Sequence, residues 1–191
     1  TVKNCAKIEP PASVIDDLSD NEACDTDKVL RGLKLRKVWV NAIVDDAISV
    51  ATTGLANNAS VASTSTGNNS TDGTQVFNPS GATVTLPAES FAPGSQANYT
   101  TTVACTGATL SGSTPGSTFT MPEGDVTCTY TNTRIQRGLT LKKTWVNGTP
   151  GDAVTATTTG LANNATVSST ADAEGDNTST GNAVSNVAGA V

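Results

Sequence analysis

Apolar and polar residues alternate along this chain in short runs, and Gly, Pro and Asn interrupt the runs at frequent intervals. Period-two runs bounded by turn residues predict strands with one buried face. Leu33, Leu35, Lys37 and Trp39 share a face of the first long run, and Ile48 and Val50 share a face of the next. Val84 and Leu86 follow, then Tyr99, Thr101, Val103 and Cys105. In VTCTYTNTR, Cys128, Tyr130 and Asn132 fall on one face, and Thr127, Thr129, Thr131 and Thr133 on the other. No window sustains a helical apolar period, so the expected fold is all-β: tandem immunoglobulin-like β-sandwich repeats.

The repeat is visible directly. RGLKLRKVWVNAIVDDAISVATTGLANNASVASTS, starting at Arg31, returns as RGLTLKKTWVNGTPGDAVTATTTGLANNATVSSTA, starting at Arg137. Trp39 matches Trp145, Asp46 matches Asp152, and the GLANNA turns match at Gly54 and Gly160. Further on the match continues with a two-residue shift, pairing DGTQVFN at 72–78 with TGNAVSN at 180–186. Self-similarity on this scale marks a repeat architecture. The expected organisation is one complete repeat at 31–136 between two partial ones. Residues 1–30 read as the last strands of a preceding repeat, and 137–191 as the first half of a following one. Downstream residues or another chain would complete that half.

Composition narrows the function. The formal net charge is −6 with 11 Lys and Arg, and no basic run. Nucleic acid is therefore not an expected partner, because phosphate binding needs clustered cations. No stretch has the length of a transmembrane helix, so membrane insertion is not expected. The chain has no His, and nothing resembles a catalytic triad, a phosphate loop or a metal cluster. No enzymatic activity and no cofactor are expected. The four cysteines form no CxxC pair. Their wide spacing in an acidic, Thr-rich chain reads as disulfides and an oxidising, extracellular or cell-surface location. Cys105 and Cys128 both occupy inward positions of late strands, which pairs them. Cys5 and Cys24 are their counterparts in the 1–30 segment. With so few aromatics to bury, the domain gains from such a staple.

The unit LxLxKxW…GLANNA…LPAESFAPGSQANYTTTVACTG…VTCTYTNTR resembles the prealbumin-like (SpaA/Cna B-type) repeats of large bacterial surface proteins. The opening TVKNCAK…DDLSDNEACDTD resembles the end of the "conserved repeat domain" found in the same proteins. The resemblance implies extracellular stalks, adhesins, pili or fibres without catalysis on external substrates.

Lys37 is the one residue whose position demands chemistry. On an apolar strand face it must pair, deprotonate or react, because a buried, unpaired ammonium is costly. The resemblance implies an intramolecular isopeptide bond from Lys37 on the first strand to Asn132 on the last, promoted by Glu89 in LPAESFAPG. Two other readings stay open: a Lys37–Glu89 ion pair, and a bulge turning Lys37 to solvent. Lys143 is the equivalent lysine of the second unit, with no matching Asn after it.

Asp172, Glu174 and Asp176 alternate before a turn, the pattern of a weak calcium loop, although most acidic loops are simply solvated. The sequons at Asn58, Asn68, Asn69, Asn98, Asn147, Asn164 and Asn177 are what chance gives in a Thr- and Asn-rich chain. The expected function is a structural repeat of an extracellular bacterial filament or surface fibre, joined head to tail with itself, including by β-strand complementation. The alternative is a stalk or ligand-binding domain of a large adhesin, with a surface or matrix ligand as partner.

Overall fold

A computed structural model describes residues 1–172 and 177–188. Its regular structure is β, apart from one short 3-10 turn at Gln96–Asn98. No helix among the described residues is long and apolar enough to cross a membrane. Strands β1 (Val2–Lys7) and β2 (Glu22–Asp27) form an antiparallel hairpin whose residues are all exposed. A disulfide joins Cys5 to Cys24 across it.

The main body begins at β3 (Leu30–Val40), whose burial alternates through Leu33, Leu35, Lys37 and Trp39 as the sequence pattern predicts. It continues through β4 (Ala47–Ala51), β5 (Ser60–Thr64), β6 (Asn69–Asp72), β7 (Val76–Pro79), β8 (Thr83–Thr85) and β9 (Ser90–Phe91). The last strands are β10 (Tyr99–Thr106), β11 (Thr118–Thr120) and β12 (Val126–Arg134). One layer runs β10-β12-β3-β6, with β7 also paired to β3. The facing layer holds β5-β4-β9 and the β8-β11 pair, linked by a bridge between Thr53 and Thr85. The apolar core, including Leu33, Leu35, Val50, Val84, Leu86, Phe119, Met121 and Val126, lies between them.

The pairing that organises the body joins its two ends. β3 and β12 run parallel over eight register pairs, from Leu33 opposite Val126 to Val40 opposite Thr133. A parallel pair needs a crossover rather than a hairpin, and here the rest of the sandwich is that crossover. β10 lies antiparallel on the other edge of β12, with Cys105 opposite Cys128 and disulfide-bonded to it. Cys128 is fully buried, and Cys105 packs against the core.

Two turns show how local sequence fixes the frame. Gly54 opens the GLANNA turn at φ +94, where a Cβ would sit 2.2 Å from the Thr83 carbonyl oxygen. Only glycine tolerates both the angle and that approach. Asn57 and the buried Asn78 then clasp each other. The Asn57 amide donates to Asn78 Oδ1 at 3.0 Å, and Asn78 Nδ2 donates to the Asn57 carbonyl at 2.8 Å. At the sandwich end, Tyr99 Oη donates to Asp46 Oδ2 at 2.6 Å and accepts from the Ile43 amide at 3.0 Å. Gly94 abuts the same carboxylate, where a Cβ would lie 2.7 Å from Asp46 Cγ.

Beyond β12 come β13 (Gln136–Leu139), β14 (Lys142–Trp145), β15 (Ala153–Thr157), β16 (Thr166–Thr170), β17 (Asn177–Thr180) and β18 (Val184–Val187). Their pairs β13-β18, β14-β17 and β15-β16 match β3-β7, β3-β6 and β4-β5 in order and direction. The Asn clasp recurs between Asn163 and Asn186. The indole bond recurs too, Trp39 to Ser63 at 3.0 Å and Trp145 to Ser169 at 2.8 Å. The sequence boundaries at 30/31 and 136/137 fall at or inside strands, because β3 begins at Leu30 and β13 at Gln136. Arg134 donates from Nε and Nη2 to the Ala188 carbonyl at 2.8 and 2.6 Å, clasping the two segments at their junction.

A candidate crosslinking site inside the sandwich

Strand alternation carries Lys37 into the core with its apolar neighbours, so the strand is regular and no bulge turns it to solvent. Lys37 is 0% exposed, as is Asn132. Lys37 stands opposite Tyr130 in the parallel ladder, and Asn132 lies two residues further along the same inward face of β12. Such diagonal neighbours are within reach of a long side chain. Glu89 comes from the other layer, in the segment entering β9, with its side chain fully buried. Lys37 and Glu89 thus meet in the core, and Asn132 is buried two residues along β12 from the position opposite Lys37. Trp39 walls the site, its ring 4.5 Å below the lysine Nζ, with Phe91 and Tyr99 edge-on to the indole.

The electrostatics are unusual. Nζ of Lys37 and Oε1 of Glu89 are 2.9 Å apart, an ion-pair distance. Their angles do not make a hydrogen bond, so Lys37 Nζ and both Glu89 oxygens are buried without one, as is Asn132 Nδ2. Buried polar groups are nearly always satisfied, and clusters of exceptions call for a chemical reason. Burial brings the Lys37 amine down from 10.5 to about 8, against the opposing pull of the Glu89 charge. A neutral amine, the nucleophilic form, is therefore within easy reach near neutral pH. Burial raises the Tyr130 hydroxyl well above its ordinary range, aided by the Glu89 charge. It stays a neutral donor to the Pro87 carbonyl at 2.9 Å, holding the Glu89 segment against β12.

One pH effect follows in a chain that cannot crosslink. In an Asn132→Leu variant Lys37 still titrates, with a folded value near 8 and an unfolded value of 10.5. Between those values the unfolded chain holds the extra proton, so stability rises with pH there. The cost of burying the charge is fully present below pH 8 and gone above 10.5. Urea titrations of this variant should show a gain on the order of 1–2 kcal/mol between pH 8 and 10. Above pH 10 the tyrosines oppose it, since burial and the Asp46 bond raise Tyr99 from 10.0 to about 12 and the unfolded chain loses that proton first. A flat profile between 8 and 10 would show that Lys37 is not buried as described.

The other sequence candidates do not join this site. Lys143 lies only half-buried on β14, its Nζ 4.1 Å over the Trp145 ring and donating to the Thr144 carbonyl at 3.0 Å. Asp172 has a partner, whereas Glu174 and Asp176 fall outside the described residues. The Cys5, Glu22 and Cys24 atoms lie close together, but both sulfurs are committed to the disulfide. Sequence reasoning placed Thr101 on the inward face without giving it a role. The structure puts it opposite Asn132, with its hydroxyl donating to Asn132 Oδ1 at 2.6 Å. A polar residue on an otherwise apolar face was the available signal. Comparisons with protein-family models, curated proteins and solved structures find no match to this chain.

Proposed function

We propose that this chain is a structural repeat segment of an extracellular bacterial filament or surface fibre, with its complete sandwich locked by a Lys37–Asn132 isopeptide bond. The observation that carries the reading is the burial of Lys37, Glu89 and Asn132 together between the parallel first and last strands of the body. The chemistry balances with no outside reagent. Lys37 gives a proton to the Glu89 carboxylate, and the neutral Nζ attacks Asn132 Cγ. Glu89 then takes the second proton from the attacking nitrogen as it delivers the first to Nδ2. The Cγ–Nδ2 bond breaks and ammonia leaves. The product is a secondary amide that is neutral where an ion pair was buried.

The test is the intact mass of the oxidised chain. The reading expects a deficit of one ammonia beyond the hydrogens lost to the two disulfides. A mass accounted for by the disulfides alone leaves only the buried ion pair.

The fibre reading is supported by two similar units following one another in one chain, clasped at Arg134 and Ala188. Immunoglobulin-like tandem repeats of prealbumin-like kind are the family proposed for them, and an oxidising exterior suits the two disulfides. Continuity within the polypeptide is favoured over strand exchange between copies. Aligned on its disulfide, the β1–β2 hairpin presents Glu22, Thr26 and Lys28 where Val126, Tyr130 and Asn132 face the core. Such a hairpin carries no apolar face of the kind β12 turns to the core. Negative-stain images of uniform threads support the fibre.

One feature favours the adhesin reading as a second choice. Ile8, Val14, Ile15 and Leu18 are all exposed in the loop between β1 and β2. Compact particles that bind a surface, and lose binding when Ile15 and Leu18 become Ser, would select it.

A further inference from the structure

We propose that Thr101 is a further catalytic residue of the crosslinking reaction, supplying the hydrogen bond that stabilises the oxyanion formed on Asn132. The inference rests on the isopeptide reading above. It concerns an atom that reading leaves unattended: as the amine attacks Cγ, negative charge develops on Oδ1, and something must receive it.

Thr101 is placed to do so. It sits on β10 directly opposite Asn132, 9% exposed, with Oγ1 2.6 Å from Asn132 Oδ1. Gln96 Nε2 donates to Thr101 Oγ1 at 2.8 Å, from the exposed 3-10 turn that precedes β10, and holds the hydroxyl in place. A carboxamide oxygen can only accept, so the threonine turns its single proton to Oδ1. That bond also settles which end of the carboxamide faces which neighbour. Oxygen points to β10, and Nδ2, the nitrogen that must leave, is buried with no hydrogen-bond partner. The attack requires that asymmetry, with charge received on one side and the leaving group unrestrained on the other.

Donors aimed at a developing oxyanion act most strongly in a water-excluded site, and removing one typically slows a reaction on the order of 100-fold. Here Thr101 acts on Asn132, while Gln96 is a positioning residue that acts through Thr101. The balance of the reaction is unchanged. The hydroxyl keeps its proton throughout, tightening its bond as the tetrahedral centre forms and relaxing it as ammonia departs.

The test follows the rate in the full chain. Cell-free synthesis is arrested with a translation inhibitor, and acid-quenched aliquots are weighed for loss of ammonia over time. Thr101→Val, nearly isosteric, is expected to slow the loss by about 100-fold. Thr101→Ser, which keeps the hydroxyl, should remain near the wild-type rate. Thr101→Val in a Lys37→Met background, where no bond can form, reports any purely structural cost as a shift in melting temperature. If Thr101→Val does not fold, Gln96→Leu at its exposed position serves instead, with a several-fold slowing expected. Crosslinking of Thr101→Val, or of Gln96→Leu in its place, at the wild-type rate overturns the role. A wild-type chain that never loses ammonia overturns the isopeptide reading and this one together, which separates the two failures.

Discussion

Glu89→Gln is expected to leave the chain uncrosslinked, its mass showing no loss of ammonia from its own sequence, and to lower its melting temperature on the order of 20 °C. The carboxamide cannot take a proton from Lys37 or return one to the departing nitrogen, so the reaction loses its shuttle. The crosslink would close a loop of roughly 100 residues, and the chain-entropy model values such closure at about 4–5 kcal/mol. In a domain of this size each kcal/mol moves the midpoint by about 4–8 °C. The variant also leaves Lys37 buried without its counter-charge, so the amine must give up its proton to stay in the core, adding to the loss. Intact mass and a thermal scan on the same sample check both halves. A variant that still loses ammonia relative to its own sequence mass would show that Glu89 is not the shuttle. One that retains it but has an unchanged midpoint would show that the loop closure contributes nothing.

The second large effect concerns the wall of the site. Trp39 is 1% exposed, packs edge-on against Phe91 and Tyr99, and donates its indole N–H to Ser63. Trp39→Ala should cost about 3–5 kcal/mol, the usual range for emptying a large aromatic site. The matched change Trp145→Ala supplies an internal control. Trp145 makes the same indole bond, to Ser169, but is only partly buried on a strand that, among the described residues, pairs with β17 alone. Its removal should cost well under half as much. Urea midpoints of the two variants decide the matter. Equal losses would mean that position in the repeat, rather than burial, sets the contribution.

Much of this was legible before any coordinates. The period-two pattern from Leu33 to Trp39 put Lys37 on the inward face, and alternation in VTCTYTNTR put Asn132 beside Cys128 and Tyr130. Alternation is a local signal, so it survives without knowledge of partners. The parallel β3–β12 ladder was not legible, since strands that meet across nearly the whole domain leave no local signature. Nor was the Tyr99–Asp46 bond, in which a tyrosine opening β10 reaches the turn before β4. Thr101 was seen as an inward residue, but its task depends on Gln96, exposed on a turn and therefore unremarkable in any pattern. The GLANNA turn was recognised as a repeat mark. Its reason, an asparagine clasp onto Asn78 and Asn186, required the fold.

The parallel course of β3 and β12 has a mechanical meaning. A fibre under tension would pull this domain by its two ends, and those ends are neighbouring strands running in the same direction. Force then enters β3 at one end of the ladder and leaves β12 at the other. All eight register pairs carry the load together and cannot be unzipped one at a time. A covalent bond from Lys37 to Asn132 would shorten that path further. Tension would pass from strand to strand at the crosslink, and the sheets, turns and disulfide in between would bear almost none of it. The strands in between would then decide whether the domain folds and the crosslink forms, and no longer how much load the thread bears.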